Sequence, residues 1–327
     1  MRQSLRLSAL VSALALAASV ITGCGDSDSS GGGGNGLETD SIKVASLPLA
    51  DGASLYVAQK AGLFKKEGLK VEIVPVQKST DAQPALIKGD VNIIAGANYV
   101  SFLQAEEKGT LKLSIVAPAA TLTSNMMNVL VKPDSKIKTA KDLEGKTVAI
   151  NILNNIQSLT LNSILKANNV DATKVKYVSV PFPQMAAALE KGQVDAIHTV
   201  EPFLSDTEKK LGARVAVDGG SEPVTGLAIS GFVSTQEWTK KNPKTAAAFQ
   251  RAIINAQKLS TQDRKKVEEV LPGYAKMDPE VASVITLPGY PTSLSKTRIK
   301  GVADLMVSSG LLKKTPDLDS ILFHPTA

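Results

Sequence analysis

Beyond residue 41, apolar positions come in short strand-like runs separated by stretches at three-to-four spacing, the pattern of β-strands alternating with amphipathic helices. Lys43-Val44-Ala45 and Val71-Glu72-Ile73-Val74 read as strands, and a third strand is expected over residues 90–94. A helix opens at Ser54-Leu55, and another ends at Ala85-Leu86-Ile87-Lys88-Gly89, where the glycine stops it. The series then returns. Lys146-Thr147-Val148-Ala149, a helix start at Ser158-Leu159, Val175-Lys176-Tyr177-Val178, Ala188-Leu189-Glu190-Lys191-Gly192 and residues 193–197 each follow their counterparts by 103–104 positions. Chance could mimic any one of these pairs, but it does not hold the spacing through all of them. Each copy reads β-loop-α-β-α-β, which predicts an α/β chain of two lobes, each a mainly parallel sheet flanked by helices. The chain is expected to cross between lobes at residues 127–131 and again near 225–230, a two-strand hinge over a cleft. Residues 41–125 plus 226–327 then form lobe 1, and residues 126–225 form lobe 2. Helices opening at Asn242-Pro243 and Asp278-Pro279, and one over 295–312, complete lobe 1.

The start of the chain has a different pattern. Arg2 and Arg6 precede an apolar run over residues 7–21 (LSALVSALALAASVI), too short for a membrane span of about 20 residues and typical of a secretory signal over residues 1–23. Ile21-Thr22-Gly23-Cys24 resembles a bacterial lipobox, with Ile21 where leucine is usual. The resemblance implies that Cys24 is acylated and holds the protein at the membrane on its extracytoplasmic face; the bland alternative is a stray cysteine in a cleaved signal. Residues 24–40 are expected to be the lipidated cysteine and a flexible Gly/Ser linker, because DSDSSGGGGNG has nothing to bury.

Composition narrows the chemistry. Apolar residues make up 43% of the 327 positions, enough for a real core, and the charge of +6 is spread along the chain rather than gathered into a nucleic-acid patch. One cysteine and two histidines, His198 and His324, leave no disulfide framework and no Cys- or His-based metal site. No cofactor is expected. Gly145-Lys146-Thr147 imitates the end of a P-loop, but Ala140 stands where its first glycine belongs and a strand follows. With no G-x-S-x-G elbow and no H-E-x-x-H, the sequence reads as a binder rather than an enzyme.

Residues 56–68 (YVAQKAGLFKKEG), 85–90 (ALIKGD), 142–148 (DLEGKTV), 188–195 (ALEKGQVD) and Glu201-Pro202-Phe203 occur in this order. Together they resemble the solute-binding lipoproteins of ABC importers, in the nitrate/sulfonate/taurine and thiamine-pyrimidine-precursor binding group, over about residues 41–315. The resemblance implies a type II periplasmic-binding-protein fold. It also implies a monomer that hands a small-molecule solute to an ABC transporter permease and its ATPase. The pyrimidine synthases that share this fold use a cysteine-rich segment, and no cysteine follows Cys24.

In open α/β sheets, ligands bind beyond the carboxyl ends of the strands, where helices begin. Loops 49–54, 96–99, 151–158, 182–184 and 199–203 are therefore expected at the cleft, with 121–125 near the hinge. They hold no Lys or Arg. Their acids are Asp51 and Glu201; their amides and hydroxyls include Ser54, Asn98, Asn151, Asn154, Asn155, Gln157 and Ser158; their aromatics are Tyr99, Phe182 and Phe203. Each has a plainer reading beside it: Asp51 and Ser158 as helix caps, Glu201 in a salt bridge, Asn154 and Asn155 as loop residues, Tyr99 and Phe203 as core. The first solute expected is a small sulfonate or a zwitterion such as taurine, its anionic end at the helix starts of Ser54 and Ser158 and its amine at Glu201. The runner-up is an aminopyrimidine precursor of thiamine, stacked on Tyr99 or Phe203 and bonded to Glu201. An enzyme acting on such a heterocycle is the third reading.

Overall fold

The computed structural model describes residues 36–325. The leader 1–23, Cys24 and the spacer as far as residue 35 lie outside the described residues. Ten strands build two five-stranded sheets. The first contains β1 (Ser41–Ser46), β2 (Lys70–Pro75), β3 (Ile93–Asn98), β4 (Leu113–Thr121) and β10 (Ala228–Thr235), in the order β2-β1-β3-β10-β4. The second contains β5 (Met127–Val131), β6 (Thr147–Ile150), β7 (Lys176–Ser179), β8 (Ala196–Val200) and β9 (Arg214–Asp218), in the order β7-β6-β8-β5-β9. β1 runs parallel to β2 and β3, and β10 lies antiparallel between β3 and β4. The second sheet repeats this with β5 as its reversed strand. Each sheet is therefore mixed, and the reversed strand is in both cases the first one reached after the chain crosses from the other sheet.

This exchange places the hinge. Residues 127–131 are β5, already inside the second sheet, so the crossing segments are 122–126 and 219–227 rather than 127–131 and 225–230. Asp218 ties the crossings together, accepting from Asn125 N–H at 2.7 Å and from the Ser124 hydroxyl.

The third strand of each repeat begins three residues later than its apolar pattern implies. Gly89 and Gly192 end their helices in the left-handed region (φ 85° and 67°), and the next residues fold back, with Asp90 N–H donating to Ala85 O and Gln193 N–H to Ala188 O. The duplication survives in the bonds that follow. Asn92 Oδ1 accepts from Lys43 N–H at 2.7 Å, and Asp195 Oδ2 accepts from Thr147 N–H at 2.8 Å.

Helix Pro243–Gln262 buries Ala246, Phe249, Ile253 and Ala256 in one core with Phe64 of the short helix Leu63–Lys66 and Phe232 of β10. Its spacing of small and apolar residues makes one continuous buried face. No helix among the described residues is long and apolar enough to cross a membrane.

Candidate functional site

The carboxyl ends of β1, β3, β6 and β8 face one another across the two sheets, and a cavity of about 60 Å³ lies between them. Asp51, Asn98, Asn155, Phe182 and Glu201 line it, as do Asn151, Gln157, Ser79 and Ser230. Leu47, Leu49, Met126, Ile156 and Val200 supply apolar wall, and Thr286 and Pro288 reach it from the C-terminal region.

Repeat-related positions meet here with their chemistry exchanged. The first-strand loop carries Asp51 in one lobe and Asn155 in the other; the third-strand exit carries Asn98 and Glu201. Three of the four satisfy helix starts. Asn98 Oδ1 accepts from Ser101 N–H at 2.9 Å, and Asn155 Oδ1 accepts from Gln157 N–H at 3.0 Å and Ser158 N–H at 3.4 Å. The Glu201 carboxylate accepts from the Ser205 hydroxyl at 2.7 Å and its N–H at 3.1 Å. Much of the N–H field that would have met an anion at these ends is thus taken by the chain itself.

Asp51 sits in a short 3-10 turn, Ala50–Gly52, held from outside the lobe-1 repeat. The Tyr274 hydroxyl donates to Leu49 O at 3.0 Å and the Tyr290 hydroxyl to Ala50 O at 2.8 Å. Across the cleft, Ala50 N–H donates to Glu201 O at 3.4 Å, which brings the segments bearing the two acids together. Ser230 Oγ donates to Asp51 Oδ2 at 2.9 Å. Burial pushes the Asp51 carboxyl up to about 6, against the lowering effect of Ser230 and nearby amides. Burial also raises Glu201, with Ser205 opposing and Glu208 and Asp206 adding to the rise. Among the described residues no Lys or Arg lines the cavity. Asn151 Oδ1 is buried beside it without a hydrogen-bond partner.

The remaining residues of the expected set stand elsewhere. Ser54 and Tyr99 are fully buried off the cavity wall; the Tyr99 hydroxyl lies so close to Gly231 that a Cβ there would come within 2.4 Å of it. Asn154 is exposed, in the left-handed region at φ 53°, and its carbonyl accepts from Gln104 Nε2 at 3.4 Å. Ser158 Oγ turns back onto Asn155 O at 3.0 Å. Phe203 stacks on Phe182 with ring centroids 5.7 Å apart and planes 6° from parallel, but it lines a neighbouring groove rather than the cavity itself. Ser79, Ser230, Thr286 and Pro288 carried no local signal; they arrive through the tertiary fold. Gln157 stood among the loop amides, and the structure shows why it matters: its Oε1 accepts from Asn151 N–H and Asn155 Nδ2, and its Nε2 donates to His198 O. Among the described residues no group of three His, Cys, Asp or Glu side chains is placed to hold a metal ion.

Two sheets of this topology, each flanked by helices and facing each other over a cavity, define the periplasmic-binding-protein fold. The chain belongs to the NMT1/THI5 like family, whose model matches residues 50–265. It is 28% identical over 258 residues to the nitrate import ATP-binding protein NrtC of Synechocystis sp., covering 72% of this chain and 37% of that protein. It is 24% identical over 274 residues to the formylaminopyrimidine-binding protein of Halalkalibacterium halodurans, covering 82% of this chain and 78% of that one. The alkanesulfonate-binding protein SsuA of Xanthomonas axonopodis pv. citri, solved bound to MOPS, superposes with a TM-score of 0.73 at 21% identity, over 87% of this chain and 98% of that chain. The chain spans between 37% and 61% of the length of four of the curated relatives it matches.

Proposed function

We propose that the chain is the solute-binding component of an ABC-type importer and that its two lobes close over a small solute rich in N–H donors, of the aminopyrimidine class. The observation that carries this reading is a pair of desolvated carboxylates, Asp51 and Glu201, in a cavity lined by no Lys or Arg. An anion placed there meets two acids and helix starts already capped by Asn98, Asn155 and Glu201. A donor-bearing ring meets those acids, the free Asn151 Oδ1 and apolar walls that suit its faces. The name of the formylaminopyrimidine-binding relative supports this choice, and the names of the nitrate and sulfonate relatives support the importer class. Anchoring at Cys24 outside the cytoplasm and delivery to a permease with its ATPase belong to the same proposal, which rests there on the leader sequence and on those relatives. Binding needs no covalent step.

Calorimetry with 4-amino-2-methylpyrimidine, taurine, ethanesulfonate and nitrate tests the reading. The aminopyrimidine is expected to bind, and Asp51→Asn and Glu201→Gln each to weaken it about tenfold or more, as for loss of a charge-assisted bond of about 1.5–3 kcal/mol. Binding of taurine, sulfonate or nitrate without an aminopyrimidine response would overturn the choice of solute. Recovery of a chemically altered compound would overturn the receptor class.

A further inference from the structure

Beside this cavity, on the same seam between the lobes, lies a larger groove of about 440 Å³. Leu47, Leu49 and Phe182 wall both spaces, so the cavity and the groove share three apolar side chains. The groove's outer wall is Pro75 and Val76 from lobe 1 and Pro183 and Phe203 from lobe 2, with Gln77 its one polar side chain. Phe203 presents its ring there, stacked on Phe182.

We propose that this groove is a second subsite, taking an apolar or aromatic substituent of the solute whose donor-bearing head sits between Asp51 and Glu201. The proposal rests on the reading of the head group given above and extends it to the class of solute: a polar amine-bearing ring with an apolar arm, not a bare ring. Three observations carry it. The two spaces share walls, so an arm that displaces Phe182 or Leu49 passes directly from one to the other. No charged side chain lines the groove, so it offers nothing to a second polar group but excludes water from an apolar one. Its walls come from different lobes, so an arm seated there touches both only when they are together, and that differential contact favours the closed state.

The test is a series of 4-aminopyrimidines carrying hydrogen, methyl, butyl or benzyl at ring position 5, titrated against the full mature chain. Affinity is expected to rise about three- to fourfold per methylene until the groove is filled, the increment for burying one CH₂. Phe203→Ala and Val76→Ser, one from each lobe, are expected to reduce that slope, whatever they do to the intercept. A flat or falling series in the wild type overturns the subsite, as does an unchanged slope in both variants. If no member of the series binds at all, the head-group reading fails and the subsite falls with it; if the unsubstituted ring binds and the slope is zero, only the subsite fails.

Discussion

Asp51, half-buried at the cavity wall, and His198, fully buried, are ionisable groups with opposite demands. Asp51 is held at about 6, above its usual 3.8, so the folded state binds its proton more tightly than the unfolded state does. Its penalty is absent below about pH 3.8 and is fully present above about pH 6, reaching at most about 3 kcal/mol at 1.36 kcal/mol per pK unit and less where cavity water reaches it. His198 is held down at about 4 by burial, against the raising effects of the Gln157 and Met127 backbone and of Asp218. Its unfolded form takes up a proton first, so its stabilisation is whole above about pH 6.5 and is lost as pH falls toward 4. The two slopes oppose each other between about pH 4 and 6. Asp51→Asn is therefore expected to raise the stability of the ligand-free protein at pH 7 by about 1–3 kcal/mol and to leave it nearly unchanged at pH 3.5. Urea titrations at the two pH values check this; an equal gain at both would mean that burial of the carboxylate is not the source. The same substitution weakens the proposed solute, a site that costs stability for function.

Among the elements, the repeat was the most legible feature, because strand alternation and glycine helix stops are local. Asp51, Asn98, Asn155, Phe182 and Glu201, expected at strand ends, stand on the wall of the cavity. The sequence pattern could not tell that Ser54 and Tyr99 turn away, since a helix's first turn has both a cleft face and a core face and only the packed partner decides which one a side chain takes. It was also silent on Thr286 and Pro288, held at the cavity by non-local contacts. Thr123 Oγ1 donates to Leu287 O at 2.8 Å, and Thr121 and Gly289 exchange backbone bonds at 2.9 and 3.0 Å. The crossing segments were misplaced by a few residues because β5 is apolar apart from Asn128 and nothing local says which sheet receives it. Where they actually lie, two glycines set the hinge. A Cβ on Gly219 would come within 2.3 Å of Met127 O, and one on Gly220 within 2.0 Å of Thr123 O, so the second crossing lies directly on the backbone of the first. Backbone cannot step aside as a flexible side-chain end can. Gly220→Ala is expected to cost about 1–3 kcal/mol, the usual range for overpacking, and to loosen closure. Thermal melts and small-angle scattering of that variant check it; wild-type values in both would show that the crossings have room to spare.

At the scale of the whole molecule, the closed lobes are held by little of their own. Lys78 Nζ donates to Ser179 Oγ at 3.3 Å, Lys209 lies 3.9 Å from Asp278, and Gln104 reaches the Asn154 carbonyl at 3.4 Å, all at the exposed rim. Such pairs are each worth about 0–1 kcal/mol and weaken with salt. The apolar seam is stronger: Leu47 and Leu49 leave the first sheet and pack with Leu130 of the second sheet and with Phe182 and Met185 of the helix Phe182–Glu190. A guest that shifts a 1:99 population of open and closed forms to 99:1 must supply about 5.5 kcal/mol of differential binding. Two buried carboxylates engaged from both sides, together with an apolar arm spanning the seam, are of the right size to supply it. The radius of gyration is therefore expected to fall when a 4-aminopyrimidine is added to the ligand-free protein. Lys78→Ala with Lys209→Ala is expected to leave the dissociation constant within about fivefold of wild type. Asp51→Asn, in contrast, is expected to abolish the scattering change at the same ligand concentration. If the rim pairs moved the affinity more than Asp51 did, closure would be driven from the surface, and the solute would be a passenger rather than the cause.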